Sequence, residues 1–165
     1  MERRPARHLW RIGLTALLLV SPGPATGASQ RGAPPPAELS ALVAKTRIEG
    51  SIAAWCHGEL RAGRSGGFAV ALSASGGGGR YVALDADGTV TELAAYTGSP
   101  EVSCYSRAEA RRLNETIRQS QTIHGEVMPR WNTAVICAFV EETNAVCWQH
   151  SPDGRAFVKV GGWET

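Results

Sequence analysis

The sequence lacks the residue spacings that mark most metal sites and many catalytic centres. It contains four Cys and four His, yet no C-x-x-C or H-x-x-x-H pair occurs among its 165 residues. Those spacings are typical of zinc sites and redox motifs, and no pair of carboxylates or Cys/His dyad stands out in their place. We therefore expect no metal, no cofactor and no catalytic residues, and an enzyme is the less favoured interpretation.

A hydrophobic run long enough to cross a membrane is also missing. Residues 12–20 are largely apolar, but a helix that spans a bilayer needs about 20 such residues. Four Arg precede this run within residues 2–11, and small residues follow it at 25–28. A basic start, a short apolar run and a small-residue cleavage site are the three parts of a secretory signal peptide. We predict that residues 1–28 are this signal peptide and that no transmembrane segment remains after its removal.

The rest of the chain has no excess of positive charge. Residues 1–28 hold four of the 17 basic and one of the 15 acidic residues, which leaves 13 basic and 14 acidic residues and a net charge of −1. Nucleic-acid binding needs a basic surface, and the short Arg111-Arg112 pair does not supply one. We therefore expect a secreted or periplasmic protein with no nucleic-acid partner.

All four Cys lie after the predicted signal peptide, where an even number indicates two disulfides. Four Cys allow three connectivities, and spacing alone does not choose among them. The geometry of a predicted hairpin favours the pair Cys137–Cys147, and elimination then leaves Cys56–Cys104. The second pair would close a separation of 48 residues.

The hairpin consists of residues 133–140 and 145–150, which read as two strands around a polar turn. If the hairpin is centred on Glu142, Cys137 lies directly opposite Cys147. Opposed Cα atoms of antiparallel strands are roughly 4.5–5.5 Å apart, which is within the range of a disulfide. The same register predicts a core face on the other side of the hairpin, formed by Ile136, Ala138, Val146 and Trp148.

The predicted elements follow one another as helix, three strands, helix, three strands. Residues 29–36 read as a flexible Pro/Gly-rich leader, and residues 37–165 as a single globular domain. Helices are predicted over 37–49 and from Ser106, where Ser106 and Glu109 have the spacing of a capping box. Strands are predicted at 68–72, 80–84, 89–96, 133–140, 145–150 and 155–160. The expected fold is α+β, with two helix-plus-three-strand halves that form a disulfide-stabilised antiparallel sheet with the helices on one face.

Two short motifs keep an enzymatic alternative open. Residues 63–67 match G-x-S-x-G, which in hydrolases presents a nucleophilic Ser on a tight turn between a strand and a helix. Here a strand follows Ser65, and a plain Gly/Ser loop explains the same residues. Cys56-His57 is the other candidate. The alternative function is a small exported hydrolase that uses Ser65 or a Cys56/His57 site.

Tryptophans are the remaining candidates for function. Trp131 and Trp163 flank polar or Gly residues, so we expect them to reach the surface, where aromatic side chains bind sugars or protein partners. The leading hypothesis is a secreted or periplasmic small binding domain whose ligand is a protein or a cell-envelope glycan. A structural envelope protein without any ligand is a further alternative.

Overall fold

This computed structural model describes residues 30–64 and 66–164, which contain nine strands and two helices. The helices are α1 (Ala37–Thr46) and α2 (Arg107–Gln119). The strands are β1 (Ser51–Gly58), β2 (Gly67–Ser73), β3 (Gly79–Leu84), β4 (Val90–Tyr96), β5 (Val102–Tyr105), β6 (His124–Glu126), β7 (Val135–Phe139), β8 (Asn144–His150) and β9 (Phe157–Glu164). The predicted signal peptide, residues 1–28, and Ser65 lie outside the described residues.

The strands form two antiparallel sheets that pack face to face. The first sheet has the order β1-β2-β3-β4 and the second the order β5-β7-β8-β9-β6. Side chains on alternate positions point into the layer between the sheets. The first sheet contributes mostly small residues to this layer, such as Ala69 and Ala71, and the second contributes larger ones, such as Ile136 and Trp148. Small residues facing large ones let the two sheets approach closely without leaving voids.

Each helix covers the outer face of a different sheet. On the first sheet, Leu39 and Leu42 of α1 pack against Phe68, Val70 and other outward-facing residues of β1–β3. On the second sheet, Ala110 of α2 belongs to a cluster with residues of β7 and β8. The strands in the middle are therefore covered on both faces, and β2 is buried at every position from 67 to 72.

The α+β prediction, with two helix-plus-three-strand halves and the helices on one face, is wrong. The protein is mostly β, with sheets of four and five strands and two short helices on opposite outer faces. Residues 68–72 form a continuous apolar run because this strand is buried on both faces, and such strands do not alternate apolar and polar residues. Three strands were not predicted, namely β1, β5 and β6.

The capping box and the hairpin register are confirmed. The hydroxyl of Ser106 accepts a hydrogen bond from the Glu109 N–H, and the Glu109 carboxylate accepts one from the Ser106 N–H. In the β7–β8 hairpin, Cys137 lies opposite Cys147. The inward-facing residues of this hairpin are the four expected ones, Ile136, Ala138, Val146 and Trp148.

Two disulfides are present, and no described cysteine is free. Cys56 of β1 pairs with Cys104 of β5, so this bond joins the two sheets through their shared core. Cys137 pairs with Cys147 on the outer face of the second sheet, beneath α2. Disulfides are typical of an oxidising, extracytoplasmic environment.

The segment before α1 contacts the edge strand β1. The Gln30 N–H donates a hydrogen bond to the Trp55 carbonyl (2.9 Å), and the Trp55 indole N–H donates one to the Ala33 carbonyl (3.4 Å). Helix α1 ends at Thr46, earlier than predicted, because Arg47 adopts a left-handed conformation with φ of 53°. Neither helix in the described ranges has the length and apolarity to span a membrane.

Candidate functional site

One end of the sandwich gathers buried polar side chains that have unused hydrogen-bonding capacity. We call them the polar cluster, and its members are Arg61, Asp85, Thr133 and His150. In each of them a buried side-chain nitrogen or oxygen has no hydrogen-bond partner among the described residues. Buried polar atoms in proteins are almost always hydrogen-bonded, so these residues are exceptions, and they mark this end of the molecule as a candidate site.

The topology brings these distant residues together. Asp85 directly follows β3, and His150 is the last residue of β8. Arg61 lies in the loop after β1, and this loop is fixed to the start of β7 by a hydrogen bond from the Ala134 N–H to the Glu59 carbonyl (3.0 Å). The ends of β1, β3 and β8 therefore meet at the same end of the two sheets.

Arg61 and Asp85 form a buried ion pair within the cluster. Their Nη2 and Oδ2 atoms are 2.7 Å apart, and their side chains are 18% and 7% exposed. The contact does not have hydrogen-bond geometry at Asp85 Oδ2, which lacks a hydrogen-bond partner. Burial raises the pKa of Asp85, and the positive charge of Arg61 opposes that shift.

His150 lies beside this ion pair and is 4% exposed. Burial lowers the pKa of His150, and the charge of Arg61 lowers it further, while Asp85 acts in the opposite direction. Its ring packs edge-on against Phe157, with ring centroids 5.1 Å apart. Its Nε2 atom has no hydrogen-bond partner. His150 is consequently held as a neutral imidazole with one unsatisfied nitrogen at neutral pH.

A cavity of about 350 Å³ opens beside the cluster. We call it the arginine cavity, because its charged lining residues are Arg61, Arg64 and Arg130; the neutral ring of His150 also lines it. No carboxylate lines it among the described residues. Trp131 and Thr133 complete its polar and aromatic wall, and the other lining residues are small or uncharged.

The free positive charge of the arginine cavity belongs to Arg130. Arg61 is paired with Asp85, and Arg64 with Asp87 at 2.9 Å. Arg130 is exposed and makes no salt bridge within the described ranges. An unpaired guanidinium offers a planar fork of donors that binds a carboxylate or phosphate at two points.

A second, smaller space lies on the other side of Arg130 and Trp131. It measures about 30 Å³, enough for one or two water molecules, and its lining includes Arg107, Arg111 and Gln149. No acidic residue lines this space either, within the part of the chain that the structure describes. Trp131 therefore stands between two spaces whose charged groups are all cationic or imidazole, which favours the approach of an anion.

The two tryptophans that the sequence singled out lie far apart on the fold. Trp131 is partly exposed in the wall of the arginine cavity. Trp163 is opposite Ala145 near the start of β8, whereas His150 is at the end of that strand. Trp163 packs edge-on against Phe139, with centroids 6.2 Å apart. The structure thus brings Trp131, but not Trp163, to the polar cluster.

The enzymatic candidates are not assembled into a site. Ser65 lies outside the described residues. Cys56 is bonded to Cys104, so it has no thiol for a Cys56/His57 centre. The His57 ring packs against Phe68 at a centroid distance of 4.9 Å. Within the described ranges, no group of three or more metal-binding side chains lies together.

Sequence reasoning missed most of the polar cluster. Asp85 reads as part of the hairpin turn at residues 85–88, and Arg61 lies in a stretch with no clear pattern. A usable signal was present, since Asp85 follows one predicted strand and His150 ends another. Polar residues at the corresponding ends of strands in a packed sheet are candidates for a shared site.

Comparison of the chain with known protein families, curated proteins and solved structures found no match. The fold and the arginine cavity are therefore the basis for any statement about function.

Proposed function

We propose that this protein is a secreted or periplasmic binding domain that holds an anion-bearing ligand in the arginine cavity. The observation that carries the proposal is the lining of that cavity: three Arg and one His, and no carboxylate among the described residues. The two disulfides and the predicted signal peptide over residues 1–28 support export.

The charges favour an anion over a neutral ligand. A bidentate contact between a guanidinium and a carboxylate or phosphate is among the stronger polar interactions in proteins. Arg130 is exposed and unpaired among the described residues, so it can make this contact without first breaking an ion pair. Arg61 and Arg64 add positive potential to the cavity even though Asp85 and Asp87 partly balance them.

The cavity also has the dimensions of a ligand site. Sites for small ligands typically measure about 300–1,000 Å³ and combine apolar walls with a few placed polar groups. The arginine cavity is at the lower end of that range and has Trp131 in its wall. A ligand that fills it would contact Trp131.

Titration of the oxidised mature protein, followed by two-dimensional NMR, tests the proposal. The ligands are a uronic acid glycoside, an acidic peptide and inorganic phosphate, each with a neutral counterpart where one exists. We expect at least one anionic ligand to shift the resonances of Trp131 and Thr133. Arg130→Ala should weaken binding by about tenfold or more.

Arg118→Ala is the matched control, because Arg118 is an exposed arginine on α2 that does not line the arginine cavity. Its affinity should equal that of the wild type. If no anionic ligand binds, or if the two variants lose affinity equally, the cavity is not an anion-binding site and the proposal is wrong.

A further inference from the structure

We propose that the ligand of the arginine cavity carries two anionic groups, and that the second group binds across Trp131 from the first. Its site is the space of about 30 Å³ lined by Arg107, Arg111 and Arg130, which we call the second subsite. This inference rests on the proposed anion-binding function and names the class of ligand. That class consists of molecules with two carboxylates or two phosphates joined by a short spacer.

The second subsite is lined by three arginines that have no ion-pair partner. Arg107 and Arg111 lie on α2, and Arg130 lies on the loop that precedes β7. All three residues are exposed, and none of them makes a salt bridge within the described ranges. An exposed guanidinium without a partner can bind a carboxylate or phosphate from solvent without first losing another contact.

The positive charges of the helix are not neutralised by its acidic residues. Arg107 and Arg111 are four positions apart, so they are neighbours on one face of α2, where like charges repel. The carboxylate of Glu109 is engaged in the capping box, and that of Glu115 accepts a hydrogen bond from Gln119. An anion bound at the second subsite would relieve this repulsion, whereas a neutral ligand would not.

A pair of buried hydrogen bonds holds the two sides of the second subsite together. The side-chain amide of Asn114 donates to the Met128 carbonyl (2.8 Å) and accepts from the Met128 N–H (2.9 Å). Asn114 belongs to the helix that carries two of the arginines, and Arg130 follows Met128 by two residues. The loop is therefore fixed to the helix before a ligand arrives, which reduces the entropy cost of binding.

The two sites for anionic groups are direct neighbours, because Arg130 and Trp131 line both of them. In the arginine cavity, Arg130 can bind the first anionic group together with Arg64, whose ion pair with Asp87 is exposed and thus weak. The second group can then bind Arg107 and Arg111. A short spacer between the groups would cross the partly exposed indole of Trp131, which offers an apolar face.

A ligand with two anionic groups, here called divalent, gains affinity over a monovalent one that has a single group. Once the first group is bound, the spacer confines the second near its own subsite at an effective concentration of about millimolar or more. The gain requires a spacer that matches the separation of the two subsites. Affinity should therefore depend on spacer length for divalent ligands.

The experiment is an NMR titration of the oxidised mature protein at low ionic strength. Succinate, adipate, suberate and sebacate are the divalent ligands, and butyrate, hexanoate, octanoate and decanoate are monovalent ligands of the same chain lengths. Butanediol bisphosphate and butyl phosphate form the corresponding phosphate pair. We expect at least one divalent ligand to bind about tenfold more tightly than its monovalent counterpart. It should shift the backbone resonances of Asn132 in the arginine cavity and of Ala110 in the second subsite.

Two double variants of α2 locate the second anionic group. Arg107→Ala with Arg111→Ala removes the arginines that belong to the second subsite alone, so the affinity of the divalent ligand should fall to that of its monovalent counterpart. Arg112→Ala with Arg118→Ala is the matched control, because it removes the same charge from exposed positions that line neither space. The tenfold difference should persist in this control.

The outcomes separate this inference from the proposed function. Equal affinities of all divalent and monovalent ligands, with binding lost in Arg130→Ala, would retain the anion-binding cavity and refute the second subsite. A tenfold difference that survives in the Arg107/Arg111 variant, or that disappears equally in the Arg112/Arg118 control, would also refute it. Absence of binding by every one of these ligands would refute both proposals. A difference in only one series would support the inference and identify the group as carboxylate or phosphate.

Discussion

The guanidinium of Arg61 contacts the carboxylate of Asp85 at 2.7 Å in a largely buried setting. The two residues are 24 positions apart in sequence and belong to different connections, one after β1 and one after β3. Their contact fixes the long connection that leads from β1 to β2 against the hairpin turn between β3 and β4. The position of these two connections beside the polar cluster therefore depends on an ion pair rather than on hydrogen bonds between strands.

Removing one partner of this pair should destabilise the protein strongly. Asp85→Ala leaves the Arg61 charge largely buried and unpaired, for which we expect a loss of about 3–5 kcal/mol in the free energy of unfolding. The double change Arg61→Met with Asp85→Leu should recover most of that loss, because well-packed apolar side chains often replace a buried ion pair without cost. Urea denaturation of the two single variants and the double variant measures this coupling.

The exposed pair Arg64–Asp87 supplies the control for that measurement. Their side chains are 60% and 49% exposed, so Arg64→Ala should change the free energy of unfolding by less than about 1 kcal/mol. A similar loss in Asp85→Ala and Arg64→Ala would mean that the Arg61–Asp85 contact is solvated in solution.

His150 should make stability fall as the pH falls below its ordinary pKa of 6.5. Because burial lowers the pKa of His150 in the folded protein, the unfolded chain binds more protons between 6.5 and the folded value. Stability is then fully present above pH 6.5 and is lost as the pH drops through that window. Urea denaturation at pH of about 7.5 and about 5.5 should show the difference.

His150→Gln is the variant that isolates this effect, since glutamine does not titrate. We expect the stability of the variant to change less between the two pH values than that of the wild type. Arg61, Asp85 and Asp153 also act on His150 electrostatically. Equal pH dependence in variant and wild type would assign the loss to other groups.

Tyr81 should contribute to stability through its hydroxyl. The hydroxyl donates to the Phe139 carbonyl (2.7 Å) and accepts from the Glu101 N–H (3.1 Å), so it ties β3 of the first sheet to the second. Tyr81→Phe should cost about 1–3 kcal/mol, because both backbone groups lose their partner. Burial also raises the pKa of Tyr81 to about 12, which an ultraviolet pH titration measures.

Tyr96→Phe is the comparison for this hydroxyl. Tyr96→Phe removes only the contact between the Tyr96 and Ser73 hydroxyls, which are 3.0 Å apart. This contact lies beside a cavity open to solvent, so water can replace the lost hydroxyl. Tyr96→Phe should therefore lower the free energy of unfolding by less than Tyr81→Phe does. The reverse order would contradict the role assigned to Tyr81.

The two disulfides should contribute unequally to stability. In the chain-entropy model, the Cys56–Cys104 bond, which spans 48 residues, stabilises by about 4 kcal/mol, and the Cys137–Cys147 bond, which spans 10, by about 3 kcal/mol. Replacing each pair by Ala and measuring urea denaturation under oxidising conditions tests the order. A larger loss for the Cys137/Cys147 variant would show that packing beneath α2 outweighs loop length.

Local features of the fold could be predicted from the sequence, because their signals lie within a few residues. The period-two pattern around Cys137 and Cys147 gave the register of the β7–β8 hairpin, and Ser106 with Glu109 gave the start of α2. Strand β1 has no period-two pattern, because Ala54, Trp55 and Cys56 are all buried. Ala54 and Cys56 face the second sheet, and Trp55 packs in the cluster beneath α1. Strand β5 has four residues, too few for a clear period.

The candidate site could not be predicted for a different reason. Trp131 was selected by residue type, but the partners that give it a role come from separate parts of the chain. Arg61, Asp85 and His150 meet because two sheets pack with their strand ends aligned, and no sequence pattern records that packing. The α+β prediction failed at the same step, because it assigned one sheet where the apolar strands build two.

Neither disulfide connects the part of the chain before α2 with the part after it. Cys56–Cys104 closes before α2 and Cys137–Cys147 closes after it. A backbone cut at residues 120–123 would therefore release two fragments even in the oxidised protein. Strand β5 of the first fragment pairs with β7 of the second, and α2 packs on the latter's sheet. The protein is thus a natural candidate for fragment complementation, in which reassociation rebuilds one sheet.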